Sequence, residues 1–172
     1  MQNSNTNIIV RKHTISLLVA DKPGVLIRIS LVFARRGFNI DSLVVSASKD
    51  PGFSIMNISA KGDAKTLVQI IKQLNKLVDV VSASDRTDDD ILSQELALFK
   101  VRHSAENRAE ILQLAGVIGC KTLDIAETAI VFQLSGSSDT IDGAITVFDP
   151  YGIIELMRTG KVLMTRGVKR TS

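Results

Sequence analysis

The residues best placed to do chemistry in this chain are Leu17-Leu18-Val19-Ala20-Asp21-Lys22-Pro23-Gly24-Val25-Leu26. An apolar, strand-like run enters a short polar turn. Pro-Gly closes the turn, and an amphipathic helical pattern follows. Glycine lets the backbone come close to another group. The first amides of the helix, around Gly24, Val25 and Leu26, have no intrahelical acceptors and carry the positive end of the helix dipole. A small carboxylate fits such a place. The same residues also read as a tight turn with a helix start, and by themselves they leave both readings open.

Catalytic sets are missing elsewhere. His13 and His103 flank strand ends in different halves, and their positions suggest no Ser-His-Asp or Cys-His arrangement. HExxH, a Walker loop and GxGxxG are absent. Cys120 is alone, which excludes a disulfide framework and a cysteine-cluster metal site. At the start of a predicted strand it reads as a small buried residue rather than a nucleophile. The run Asp88-Asp89-Asp90 reads as a solvated linker, ahead of a metal site. These absences favour a binding module. A small enzyme on the same scaffold is the competing class, and it would show intrinsic turnover.

Composition narrows the partners. Net charge is +3, but aromatics are only 4%, so basic residues are not interleaved with stacking rings and nucleic-acid binding is not expected. Any ligand pocket must be built from aliphatic side chains and backbone. With 172 residues, 45% of them hydrophobic, the chain suffices for one ordinary domain or two small ones with packed cores. Met1 to Asn7 reads as a frayed polar tail, neither a secretory signal nor a transit peptide. No apolar run approaches the ~18 residues of a membrane span. A soluble, cytoplasmic protein without membrane association is the expectation.

The elements that would position the turn follow from periodicity. His13 to Val19 alternates Thr14, Ser16 and Leu18 against Ile15, Leu17 and Val19, predicting a half-buried strand. Leu26, Ile29 and Phe33 set the stripe of a helix over 24–36, with Arg28 and Arg35 on its wet face and Gly37 as a left-handed cap. Asn39 to Ser48 and Phe53 to Ala60 form a hairpin around Lys49-Asp50-Pro51-Gly52. Gly62-Asp63 opens a helix through Leu67, Ile70, Ile71 and Leu74, and Val78 to Ser84 is a fourth strand.

Strand, helix, strand, strand, helix, strand is the split βαβ order of ferredoxin-like folds. The second half repeats it. Glu95 to Arg102 is a strand, Ser104 is placed to cap a helix, and Cys120 to Ile125 pairs with Thr128 to Leu134. Ser138 starts another helix that Pro150 ends, and Ile153 to Met157 is the last strand, with an extension over 161–166. The predicted fold is α+β, two tandem ferredoxin-like βαββαβ sandwiches over 12–86 and 94–168. The expected strand order 4-1-3-2 leaves the second strand at an edge, and Leu43-Val44-Val45 there invites pairing with another chain. A two-fold pairing would turn the Gly24 loop of one subunit toward Asn39 of the other. Asn39 also reads as a local turn cap.

At this point the residues carry a resemblance. His13 to Val19 followed by Asp21-Lys22-Pro23-Gly24-Val25-Leu26 resembles the start of an ACT domain. The runs Phe33 to Leu43 and Gln73 to Val80, with Arg158-Thr159-Gly160, resemble the small regulatory subunit of acetolactate synthase (acetohydroxyacid synthase) over nearly the whole chain. That resemblance implies a non-catalytic subunit that activates a separate catalytic subunit and mediates feedback inhibition by valine or another branched-chain amino acid. The catalytic partner, not this chain, would hold thiamine diphosphate, magnesium and FAD. The effector would lie among Asp21, Lys22, Pro23, Gly24, Val25 and Leu26 of one protomer and Asn39 and Ile40 of its partner in a homodimer formed through the ACT domain. Asp21 stands where the family also places Asn; an acid there holds an ammonium and repels a misplaced carboxylate. Pro23 and Val25 would shape the apolar wall. The location implied is cytoplasmic, or plastid stroma for a plastid-encoded chain. A free-standing ACT-type amino-acid sensor serving another enzyme or regulator is the alternative, and it would not activate an acetolactate synthase catalytic chain. The second half has His103-Ser104-Ala105-Glu106 in place of the Pro-Gly turn, so a second effector site of the same kind is not expected there; that half is instead a candidate contact for the catalytic subunit.

Overall fold

Alternation in the first strand puts Ile15, Leu17 and Val19 on one face, all fully buried. They form the floor of the first of two cores in the computed structural model, which describes residues 10–171. The tail expected over Met1 to Asn7 lies outside those residues. The elements are β1 (Arg11–Ala20), α1 (Val25–Ala34), β2 (Asn39–Ala47), β3 (Phe53–Gly62), α2 (Ala64–Leu74) and β4 (Val80–Asp85). The antiparallel sheet runs β2-β3-β1-β4, the order expected, with β2 at an edge. Ile29, Val32 and Phe33 of α1 and Leu67, Ile70 and Leu74 of α2 close over Ile15, Leu17, Met56 and Ile58. Asp63 caps α2, its carboxylate accepting the Thr66 amide at 2.8 Å.

β1 departs from the half-buried strand predicted for it. Thr14 and Ser16, on the face away from the helices, are 6% and 1% exposed. Residues 86 and 87 continue alongside this strand beyond β4: the Thr14 amide donates to the Thr87 hydroxyl at 3.1 Å, and its carbonyl accepts from the Arg86 amide at 2.7 Å.

The second unit comprises β5 (Ile91–Arg102) from Ser93 onward, α3 (Arg108–Ile118), β6 (Lys121–Ile125), β7 (Ala129–Gly136), α4 (Ser138–Phe148), a 3-10 turn (Asp149–Tyr151) and β8 (Ile153–Arg158), in the order β6-β7-β5-β8. Its core stacks Phe132 on Phe148 at 5.3 Å and tilts Phe99 against Phe148 at 5.8 Å. One expected helix start shifts and the other holds. Ser104 does not cap α3; its own amide and hydroxyl donate to the Asn107 side chain, and the helix begins at Arg108. α4 begins at Ser138 as expected, and Ser137 before it caps the helix by accepting the Thr140 amide. The Ser138 hydroxyl instead donates to the Glu95 carboxylate.

Packing divides the chain differently from the expected 12–86 and 94–168 at its C-terminal end. Ser93–Val162 form one unit, and Leu163 onward packs with the residues up to Leu92. The short strand β9 (Val162–Thr165) leads into that segment, and Leu163 is buried.

Candidate functional site

Local chain geometry makes the turn after β1 an open one. Gly24 has φ +84°, which a residue with a side chain adopts only under strain. It is the N-cap of α1, and no side chain caps that helix. The Val25 amide makes a long 3.4 Å bond to the Lys22 carbonyl, and among the described residues no acceptor meets the amides of Leu26 and Ile27. The helix start therefore presents donors to whatever approaches it.

The turn is anchored on both sides. The Lys22 amide donates back to Ala20 at 3.0 Å, and the Asp21 amide donates to the Gly52 carbonyl in the β2–β3 turn at 2.9 Å. Asp79 holds the other side: its carbonyl accepts from the Ala20 amide at 2.8 Å and its carboxylate pairs with Arg28 at 2.6 Å. Arg28, assigned above to a solvated face, thus reaches over the turn. A Cβ built on Gly24 would stand 3.5 Å from its guanidinium. Periodicity assigned Arg28 to the correct side of the helix but gave no sign of Asp79, fifty-one positions away. Asp21, Lys22 and Pro23 are exposed, Val25 is buried under the turn, and the Leu26 side chain is exposed.

Asn39 and Ile40 stand elsewhere. Asn39 is opposite Lys61, and Lys61 is opposite Lys12, at the start of β1; Gly24 follows its end. Eight residues of strand separate the two ends, roughly 26 Å at the usual rise. One chain does not bring Gly24 and Asn39 together. The start of β2 is nonetheless a built position. Phe38 is buried, its ring stacks on His13 with centroids 6.4 Å apart, and a Cβ on Gly62 would fall 2.0 Å from the ring. Only glycine admits the ring, and the ring fixes where Asn39 begins. That pairing gave no sequence signal beyond a glycine near a strand end.

The remaining candidates are structural. His13 Nε2 lies 3.1 Å from the Gly62 carbonyl, and His103 Nε2 lies 3.0 Å from the Ala126 carbonyl. Burial pushes the Cys120 thiol up to about 11, which leaves it a poor nucleophile. The acidic run is exposed, as expected of a solvated linker, and makes surface ion pairs: Asp88 with Arg11, Asp89 with Arg86 and Asp90 with Arg166. Asn75, inside one of the runs quoted above, ties the end of α2 to β4 by bonding the Ala83 amide and carbonyl, each at 2.9 Å. Arg158 pairs with Glu95 and Asp142, and the Thr159 amide donates to the Leu96 carbonyl. Among the described residues, no helix is long and apolar enough to cross a membrane.

Known proteins resemble this chain along most of its length. A family model described as an AHAS small subunit-like ACT domain matches residues 15–82, and one described as the small subunit of acetolactate synthase matches residues 94–167. The acetolactate synthase small subunit of Mycolicibacterium smegmatis is 40% identical over 155 residues, 90% of this chain and 91% of its own. A probable acetolactate synthase small subunit of Archaeoglobus fulgidus is 41% identical over 159 residues, 92% of this chain and 99% of its own. The crystal structure of the small subunit from Thermotoga maritima superposes with a TM-score of 0.81 at 37% identity, covering 92% of this chain and 99% of that one.

Proposed function

Because the chain belongs to the acetolactate synthase small-subunit family, we propose that it activates a separate catalytic subunit and transmits feedback inhibition by valine or another branched-chain amino acid. The partner supplies thiamine diphosphate, magnesium and FAD. It condenses two pyruvates, or pyruvate with 2-oxobutyrate, in the synthesis of valine, leucine and isoleucine.

One observation carries the effector site: the open amides after Gly24 and the start of β2 at Asn39 lie at opposite ends of one sheet. β2 runs parallel to β1 and has a free edge. Antiparallel pairing of β2 with its copy reverses the partner's strand, so the partner's Asn39 arrives at the Gly24 end. The surface suits that pairing. Val45 on the edge is 46% exposed, and Ile27 and Leu31 of α1, the helix beside β2, are 65% and 46% exposed. A zwitterionic effector then has amide donors for its carboxylate, Asp21 for its ammonium and Pro23 as an apolar contact; Val25, expected to share that wall, is instead packed in the core beneath the turn. Effector bound across two chains favours one subunit arrangement over another, which regulation at a distance requires.

The test is reconstitution with the catalytic subunit from the same source, with valine, leucine and isoleucine titrated. Gly24→Asp puts a carboxylate where the effector's own must sit, and Asn39→Ala removes the partner's amide. Each is expected to abolish feedback while activation persists. Valine inhibition retained in both variants would refute the site, and failure to activate the catalytic chain would refute the regulatory role.

A further inference from the structure

The sheet of the first unit carries a second concavity, on the face away from its helices. A cavity of about 380 Å³ lies between the sheet and the C-terminal segment 163–171. Its floor is Leu18 and Ile55, register partners on β1 and β3, and Leu163 and Met164 supply the facing apolar wall. The segment is held in place: the Thr165 amide donates to the Thr171 hydroxyl at 2.9 Å, the Thr171 carbonyl accepts from Arg86 at 2.6 Å, and Arg170 pairs with Asp50 at 2.7 Å.

Charge at the rim is one-sided. Arg170 and Asp50 neutralise each other, whereas Lys49 and Lys169, which also line the cavity, have no ion-pair partner among the described residues. Two exposed ammonium groups thus stand over an aliphatic floor. No aromatic side chain lines the space, so a nucleobase finds no stacking surface there. The size is that of a site for a small organic ligand.

We propose that this cavity binds an aliphatic carboxylic acid, its hydrocarbon body against Leu18, Ile55, Leu163 and Met164 and its carboxylate between Lys49 and Lys169. This site is independent of the valine reading. Its position gives it a route to the effector turn: Lys49 and Asp50 belong to the β2–β3 turn, whose Gly52 carbonyl receives the Asp21 amide. A ligand that holds this turn in one arrangement changes effector affinity, and effector changes the ligand's affinity by the same factor.

The probe is octanoate, titrated into the full chain carrying labelled Leu, Ile and Met methyl groups, with octanol and inorganic phosphate as controls. Octanoate is expected to shift the methyls of Leu18, Ile55, Leu163 and Met164 saturably. Octanol binds at least about tenfold more weakly, the loss expected of two charged contacts, and phosphate leaves these methyls unmoved. Lys49→Ala with Lys169→Ala weakens octanoate by about tenfold and leaves the octanol response and the melting temperature unchanged. Methyls unmoved by octanoate, octanol binding as tightly, or octanoate affinity untouched in the double variant would each overturn the site.

Discussion

At the end of β1 the chain turns through Lys22, Pro23 and Gly24; at the corresponding end of β5 it turns through His103, Ser104 and Asn107. Neither helix start has a side-chain cap, but the first has Gly24 at φ +84° as its N-cap. The second is tied together by its own side chains. The Asn107 side chain accepts from the Ser104 amide at 2.7 Å, the Arg108 amide donates to the Ser104 carbonyl at 3.1 Å, and the His103 ring sits between the Ser104 and Ala126 carbonyls. The same strand-to-helix connection is thus a glycine bend in one unit and a turn bonded through its own side chains in the other. Backbone conformation at the bend, rather than a cap, separates the two helix starts.

The second unit also places its charged groups differently. Glu95 is 4% exposed, and Arg158 grips it in two bonds of 2.6 and 3.0 Å while reaching Asp142 on α4. Burial alone would lower the Arg158 guanidinium's proton affinity, but hydrogen bonds to Glu95 and Asp142 outweigh it and raise the pKa. That cluster joins β5, β8 and α4, so it serves the unit's own integrity. In the first unit, Arg28 and Asp79 brace the open turn.

The largest effect that would sharpen this contrast is on stability. Arg158→Ala leaves the Glu95 carboxylate buried without its arginine and is expected to cost about 3 kcal/mol, read by urea unfolding. Arg158→Lys recovers only part, since an ammonium cannot reproduce the two-bond grip. A smaller effect comes from the turns. Gly24→Ala at positive φ costs about 1 kcal/mol and weakens valine inhibition. Asn107→Ala removes the acceptor of the Ser104 amide at a cost of about 1 kcal/mol and leaves valine inhibition unchanged. A valine response altered by Asn107→Ala would break the comparison.

Acid separates the units more gently. Hydrogen bonds from Thr66 hold the Asp63 carboxyl below its usual range. A carboxylate with a depressed folded pKa stabilises the fold above its unfolded value, near 3.8, and that contribution fades as pH falls through the lower folded value. The Ser137 cap of α4 does not titrate in this range. Amide exchange at the start of α2 is expected to quicken at acid pH relative to the start of α4, and Asp63→Asn is expected to remove the difference. The smallest effect is at Cys120, whose raised thiol pKa predicts alkylation at pH 8 well below the rate of a free thiol, by mass spectrometry.

Short-range pattern explains most of the fold. Ile15, Leu17 and Val19, or Leu67, Ile70 and Leu74, announce their elements because a strand repeats every two residues and a helix every three or four. Strand order then follows from few permitted connections. Gly24 was legible for the same reason, since a Pro-Gly turn is a local event. What neighbours in sequence do not encode was left to tertiary packing. Thr14 and Ser16 alternate like surface residues yet are buried, and 163–168 leaves the unit whose sequence it continues.

For the site, the sequence by itself determined the residue types and the bend that exposes the amides. Only the tertiary structure decided that Arg28 is drawn over Gly24 by Asp79, that Gly62 makes room for the Phe38 ring that sets Asn39 in place, and that Gly24 and Asn39 stand at opposite ends of one sheet. Each of those facts joins residues between fifteen and fifty-one positions apart. Backbone dihedrals and side-chain periodicity act over a turn or two of chain, whereas these contacts exist only once the sheet and helices have closed on a shared core.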